Sequence, residues 1–206
     1  MNSIELVTTD GVFALDGGEW EVTNNIWLVG NDREVLVIDA AHDHQRIVSG
    51  INGRHVRAIV LTHGHNDHIN AAVALRDAVD APVYLHADDQ MLWDAVYPND
   101  TVDRAITPGL QISAGGQTLT ALHTPGHSPG CCCLSGDGHL FSGDTLFCGG
   151  PGATGRSFSS FDTIITSFRE QLLTLPADTV VHTGHGDSTT IGAEAPNLEE
   201  WLKRGS

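Results

Sequence analysis

The densest chemistry in this chain lies in the run Thr62-His63-Gly64-His65-Asn66-Asp67-His68. Neutral imidazole nitrogen and carboxylate oxygen are ligands of zinc, iron and manganese. A loop this short and curved cannot bring all four groups to one ion with good geometry. His63 and His65 are therefore assigned to one metal, and Asp67 and His68 to another. Taken alone, the run also reads as solvated residues ahead of a helix, with Asp67 capping its N-terminus. Three glycine-flanked turns supply one further group each: Gly126-His127-Ser128, Gly143-Asp144-Thr145 and Gly184-His185-Gly186. Glycine lets the backbone come close to an ion. His127 completes the first site and His185 the second, while the two oxygens of Asp144 can bridge both. Three protein groups per ion plus a shared carboxylate leave room for a water between the cations.

Such a cage needs elements that end together, and each of these groups follows a predicted strand or sits in the turn after one. Apolar and β-branched runs predict strands at 4–8, 20–29, 34–39 and 56–61, then a short one at 82–86. Helical spacing predicts helices at 44–51, 67–79 and 88–96. The second half repeats the scheme, with strands at 110–113, 117–124, 131–135, 139–142 and 179–182 and helices at 161–173 and 196–203. Gly136-Asp137-Gly138 reads as a hairpin turn, and the Gly/Pro clusters at 107–116 and 149–155 read as loops. Two strand-rich halves with helices outside predict two sheets packed together and flanked by helical layers.

A length of 206 residues with 40% hydrophobic content suits one domain, residues 1–206, with a core that needs no disulfide staples. The formal net charge is −16, from 26 acidic and 10 basic residues, which argues against nucleic acid or an anionic membrane as partner. Four cysteines, of which Cys131, Cys132 and Cys133 are consecutive, do not make a disulfide framework. They read as strand residues facing alternate sides, and Cys148 is the thiol nearest the site. With no basic-then-apolar leader and no apolar run approaching the roughly 20 residues that span a bilayer, a cytoplasmic, reducing setting is expected. Oligomeric state is not legible.

The order and strand-end placement of these groups, with Asp39 after Val35-Leu36-Val37-Ile38 counted as the first motif, resemble the metallo-β-lactamase superfamily over nearly the full length. The resemblance implies an α/β fold, a four-layer αββα sandwich with the metals at the open edge between the sheets. Within that superfamily His123-Thr124-Pro125-Gly126-His127-Ser128-Pro129-Gly130 and Gly143-Asp144-Thr145-Leu146-Phe147 look most like glyoxalase II, the hydroxyacylglutathione hydrolases. The long form of that enzyme has an extra C-terminal helical region that holds glutathione. This chain ends at Ser206, so it looks like the short bacterial branch. Asp144 stands where one large group of true lactamases has a cysteine ligand, which disfavours antibiotic hydrolysis.

The implied reaction is hydrolysis of a thioester, such as S-lactoylglutathione or an equivalent on another small thiol, by hydroxide held between two divalent ions. Zinc is the first expectation, with iron or manganese also suited. Asp67 accepts or orients the water's proton, and a thiolate leaves without an acid to help it. Asp39 either orients the ligand loop through hydrogen bonds or caps a turn. His123 is expected as a packed or hydrogen-bonding neighbour rather than a ligand. His42 and His44 belong to a solvated loop or to the cleft rim. Arg156 either receives a substrate carboxylate or makes a surface salt bridge. Three rivals remain: a persulfide dioxygenase with one iron on His63, His127 and Asp144, a lactonase with the same ligands, and a metal-binding module without activity.

Overall fold

The structure is a computed structural model that describes residues 3–205. The chain opens with β1 (Ser3–Leu15) and β2 (Gly18–Gly30), a long antiparallel hairpin turned at Asp16 and Gly17, whose φ angles of 53° and 76° suit exactly these residue types for a tight reversal. There follow β3 (Glu34–Ile38), α1 (His44–Ile51), β4 (His55–Val60), α2 (Asn66–Ile69), α3 (Ala72–Val79), β5 (Val83–His86), a 3-10 turn (Ala87–Asp89), α4 (Gln90–Val96) and β6 (Arg104–Ile106). These six strands make the first sheet in chain order, parallel from β3 onward.

The second half runs β7 (Gln111–Ala114), β8 (Gln117–His123), β9 (Cys132–Gly136), β10 (His139–Gly143), β11 (Leu146–Phe147), β12 (Gly150–Pro151), α5 (Phe161–Ser167), β13 (Val180–Thr183), β14 (Thr189–Thr190), α6 (Ile191–Glu194) and α7 (Leu198–Arg204). The second sheet has the order β14-β13-β10-β9-β8-β7, with β11 and β12 as a separate ribbon.

Hydrophobic burial explains the layering. Along β3, Val35 and Val37 pack with Ile47, Leu75 and Trp93 under the helices, while Leu36 and Ile38 pack against Leu134 and Phe141 of the other sheet. A strand buried on both faces reads as a continuous apolar run, which is what Val35-Leu36-Val37-Ile38 is. The same alternation sends Cys132 between the sheets and Cys133 outward to Phe168 and Trp201. The result is the α/β four-layer sandwich. Among the described residues, no helix is long and apolar enough to cross a membrane.

Several elements differ from the sequence expectation. The first hairpin strand extends well beyond 4–8, because its distal half is partly exposed and mixes polar with apolar residues, while Phe13 meets Trp20 and Thr23 bonds Asp10 across the pair. The expected helix 67–79 is two helices. The chain breaks at Asn70-Ala71 because Ala71 N–H donates to Ala40 O and the Asn70 carboxamide accepts from His42 N–H, tying this corner to the loop after β3. Helix 88–96 begins as the 3-10 turn, helix 161–173 relaxes into a π turn at Phe168–Leu172, and helix 196–203 starts as a 3-10 turn carrying Pro196. Strand 131–135 shifts by one residue, since Cys132 N–H donates across to Thr62 O. The short β6, β11, β12 and β14 and the four-residue α6 were not expected; each is too brief for a periodic signal.

Candidate metal centre

All seven expected groups meet at one edge of the sandwich. His63 and His65 stand on the loop after β4, Asp67 and His68 on α2, His127 between β8 and β9, Asp144 after β10 and His185 after β13. His63 Nε2 lies 3.1 Å from His65 Nδ1, which lies 3.0 Å from His127 Nε2. On the other side His68 Nε2 lies 3.2 Å from His185 Nε2, and Asp67 Oδ2 is 3.5 Å and 3.3 Å from these two nitrogens. Asp144 stands between the groups, with Oδ1 3.3 Å from His68 Nε2 and Oδ2 3.5 Å from the Nε2 atoms of both His127 and His185. His63-His65-His127, Asp67-His68-His185 and His63-His68-Asp144 each present atoms close enough to share an ion.

The remote ring nitrogens of four of the five cage histidines are spoken for, which fixes where their lone pairs point, while His65 Nε2 is buried without a partner. His127 Nδ1 donates to Ala153 O, His185 Nδ1 to Thr23 O and His68 Nδ1 to Asp39 Oδ2, at 2.8, 2.8 and 2.9 Å. Thr62 Oγ1 donates to Asp39 Oδ2 and so receives His63 Nδ1, 3.1 Å away. The Nε2 lone pairs of His63 and His127 therefore converge on His65, an arrangement that a cation relieves. Their separations are near the tetrahedral edge of about 3.3 Å set by metal–nitrogen bonds of roughly 2.0–2.1 Å. Asp67 Oδ1 is buried without a hydrogen-bond partner, a further unspent ligand atom. The residues present fit two divalent cations.

Electrostatics divide the cage. Burial pushes the His63 imidazole well below its ordinary pKa and His65 down to about 3, with the neighbouring rings adding to both shifts. Burial opposes charge on His68 too, but Asp144, Asp67 and Asp39 outweigh it and hold its pKa well above the ordinary value. His185 rises to about 10 because Asp144 and Asp67 overcome its burial. Burial likewise works against the Asp144 carboxylate, which His68 and His185 nonetheless hold well below the usual range. Positive charge is favoured where the carboxylates are, and neutral nitrogen donors prevail on the other side.

Asp39 does not join the cage. Its Oδ1 accepts Thr62 N–H at 2.7 Å, so it orients both the ligand loop and the His68 ring. His123 Nε2 donates to Pro129 O at 2.9 Å, and its ring stacks on His86 at 4.2 Å and 11°. Asp88 lies near this pair, but near-parallel rings do not aim their in-plane lone pairs at one point, so the trio is a stacked neighbour of the site. His42 is neither a solvated loop residue nor mere rim: its Nε2 meets Asn24 Oδ1 at 2.9 Å, and Asn24 Nδ2 donates to Asp67 Oδ2 at 3.1 Å. His44 begins α1, after its N-cap Asp43.

The cage opens into a cavity of about 280 Å³ walled by Phe13, Trp20, Val22 and Phe147. Arg156 borders it with Cζ 3.8 Å from the Trp20 ring centroid and 5.9 Å from that of Phe13. Its charge also acts on Asp16, whose carboxylate accepts Ser157 N–H and is held below its ordinary pKa first by that residue and further by Arg156. Sequence reasoning missed Asn24, the aromatic wall from the hairpin, and Asp89, a buried carboxylate bonded to both histidine loops.

The chain belongs to the metallo-β-lactamase superfamily, whose model matches residues 20–185. It is 36% identical over 177 residues to a hydroxyacylglutathione hydrolase of Methylobacillus flagellatus, spanning 85% of this chain and 67% of that one. Among solved structures it is similar to the B3 metallo-β-lactamase BLEG-1, with TM-score 0.78, 29% identity and coverage of 91% and 97% of the two chains. It is also similar to TTHA1623 in a di-iron-bound form, with TM-score 0.76, 32% identity and coverage of 84% and 93%. Fold, family and donor set define a metal-dependent hydrolase class.

Proposed function

We propose that this chain is a dinuclear metal-dependent thioesterase of the glyoxalase II type, acting on S-lactoylglutathione or a comparable acyl thioester of a small thiol. The observation that carries the reading is Asp144, whose two oxygens reach groups of both clusters. His63, His65 and His127 would hold one cation and Asp67, His68 and His185 the other, with Asp144 within reach of both. Zinc is the first choice, and iron or manganese suit the same donors. When bound, the two cations supply electrophilic activation of a carbonyl and of a water near neutral pH.

The chain's own residues do the rest. Asp67, with Oδ1 unspent, receives or orients the proton of the attacking water. Phe13, Trp20 and Phe147 exclude solvent from the acyl group, and Arg156 takes a carboxylate of the substrate. Among the described residues, no lysine and no histidine outside the cage lines the cavity to protonate an amine, whereas a thiolate departs unaided. Thioesters are thus favoured over amides.

Elemental analysis of the purified protein, run beside a panel of a thioester, a lactone, a β-lactam and a persulfide with oxygen uptake, tests this. Two ions per chain with thioester turnover are expected. Under one ion per chain in an active sample, or oxygen uptake with the persulfide and no thioester cleavage, would replace the reading with the single-iron oxygenase.

A further inference from the structure

Asp89 closes the 3-10 turn that carries the chain from β5 into α4, and its residue is 0% exposed. Its Oδ2 accepts Gly64 N–H at 2.7 Å and the Ser128 hydroxyl at 2.6 Å, and its Oδ1 accepts Gly130 N–H at 2.6 Å. Gly64 lies between His63 and His65, and Ser128 directly follows His127. One carboxylate thus holds both loops that bring the three nitrogens together. The fit is tight: a Cβ on Gly130 would come 2.6 Å from Asp89 Cγ, and one on Gly64 would come 3.0 Å from Asp89 Cβ.

The other half of the cage rests on different supports. His68 leans on Asp39, His185 on Thr23 O and Asp67 on Asn24. Among the described residues none of these touches Asp89. Burying a carboxylate is costly, and three donors with no cation beside them offset only part of that cost. An apolar residue there would leave two backbone N–H groups unpaired in the interior and the Ser128 hydroxyl with only the weak Cys131 sulfur, 3.2 Å away.

We propose that Asp89 is a positioning residue that sets the spacing of His63, His65 and His127, and so governs the metal affinity of that half of the cage alone. This rests on the dinuclear reading. Hydrogen-bonding partners of ligand groups commonly alter metal affinity by roughly 10–100-fold, and here the effect is confined to one of two ions.

The test titrates metal-free protein with cobalt(II) and zinc, comparing wild type with Asp89→Asn and Ser128→Ala, and with His65→Ala and His185→Ala as markers for the two halves. Asp89→Asn keeps the volume but turns an amide N–H2 toward donors. It is expected to weaken the equivalent marked by His65→Ala by about 10–100-fold and leave the one marked by His185→Ala within about threefold. Ser128→Ala, which removes one bond of three, is expected to weaken the same equivalent by less. Unchanged affinities, or equal weakening of both equivalents as general loosening would give, overturn the proposal. Should Asp89→Asn fail to fold, Ser128→Ala decides, with a one-sided loss supporting the assignment and none refuting it. A wild type that binds a single ion would end the dinuclear reading separately, and Asp89→Asn would still be scored on that ion.

Discussion

His68 Nδ1 lies 2.9 Å from Asp39 Oδ2, while Asp39 Oδ1 receives the backbone N–H of Thr62 at 2.7 Å. One carboxylate therefore sets a ring on α2 and the start of the preceding loop. Asp39→Asn should fold, because asparagine tolerates the left-handed φ of 64° found there. It should lower affinity for both ions by about 10–100-fold, read by zinc competition against a chelating indicator. That two-sided loss contrasts with the one-sided loss expected at Asp89.

Asp144→Ala should release bound metal and abolish hydrolysis together, with turnover down on the order of a hundredfold or more. Removing the carboxylate takes from His68 and His185 one of the two carboxylates they share, the other being Asp67. Metal content and rate measured on the same sample check this, and full activity would refute the bridging role.

Arg156→Gln should raise KM about tenfold for thioesters that carry a carboxylate and leave kcat unchanged, since the lost contact is made equally in ground and transition states. A neutral thioester of the same length should be unaffected. Trp20→Ala, which removes the ring lying 3.8 Å from the guanidinium, should give a weaker version of the same pattern.

His182 is buried against Trp27 and Phe141, and burial, then the neighbouring His139, depress its pKa from 6.5 to about 4. The unfolded chain binds this proton more readily, so stability is complete above pH 6.5 and declines as pH falls toward 4. The loss over that window is on the order of 3 kcal/mol. Denaturant midpoints followed from pH 7 to 4 should fall more steeply for wild type than for His182→Leu, a comparison that separates this group from acid release of metal.

The cage was legible because each group is of ligand type and lies in the turn, or the short helix α2, that follows a strand, so chain order alone implies convergence at a sheet edge. Asp89 was not legible: beside Asp88 it looks like an acid at a helix start, and its partners are main-chain N–H groups 25 and 41 residues away. The distal hairpin was hidden for a related reason. Its cross-strand partners, Phe13 with Trp20 and Asp10 with Thr23, are set by the turn, and Thr8-Thr9-Asp10-Gly11 carries no apolar alternation to reveal them. Helix 67–79 kept its apolar spacing across the break at Asn70, where bonds to the loop after β3 overrule local propensity.

Among the described residues no strand is exchanged between the two large sheets, β1 to β6 forming one and β7 to β10 with β13 and β14 the other. His63, His65, Asp67 and His68 come from the first half of the chain, and His127, Asp144 and His185 from the second. Cations bound there would therefore clasp two separately woven halves, beyond the core that Leu36 and Ile38 share with Leu134 and Phe141. A chain severed in the 107–110 connection should give two fragments that reunite through that core and hold together more tightly as free metal rises, the makings of a split reporter gated by a divalent cation.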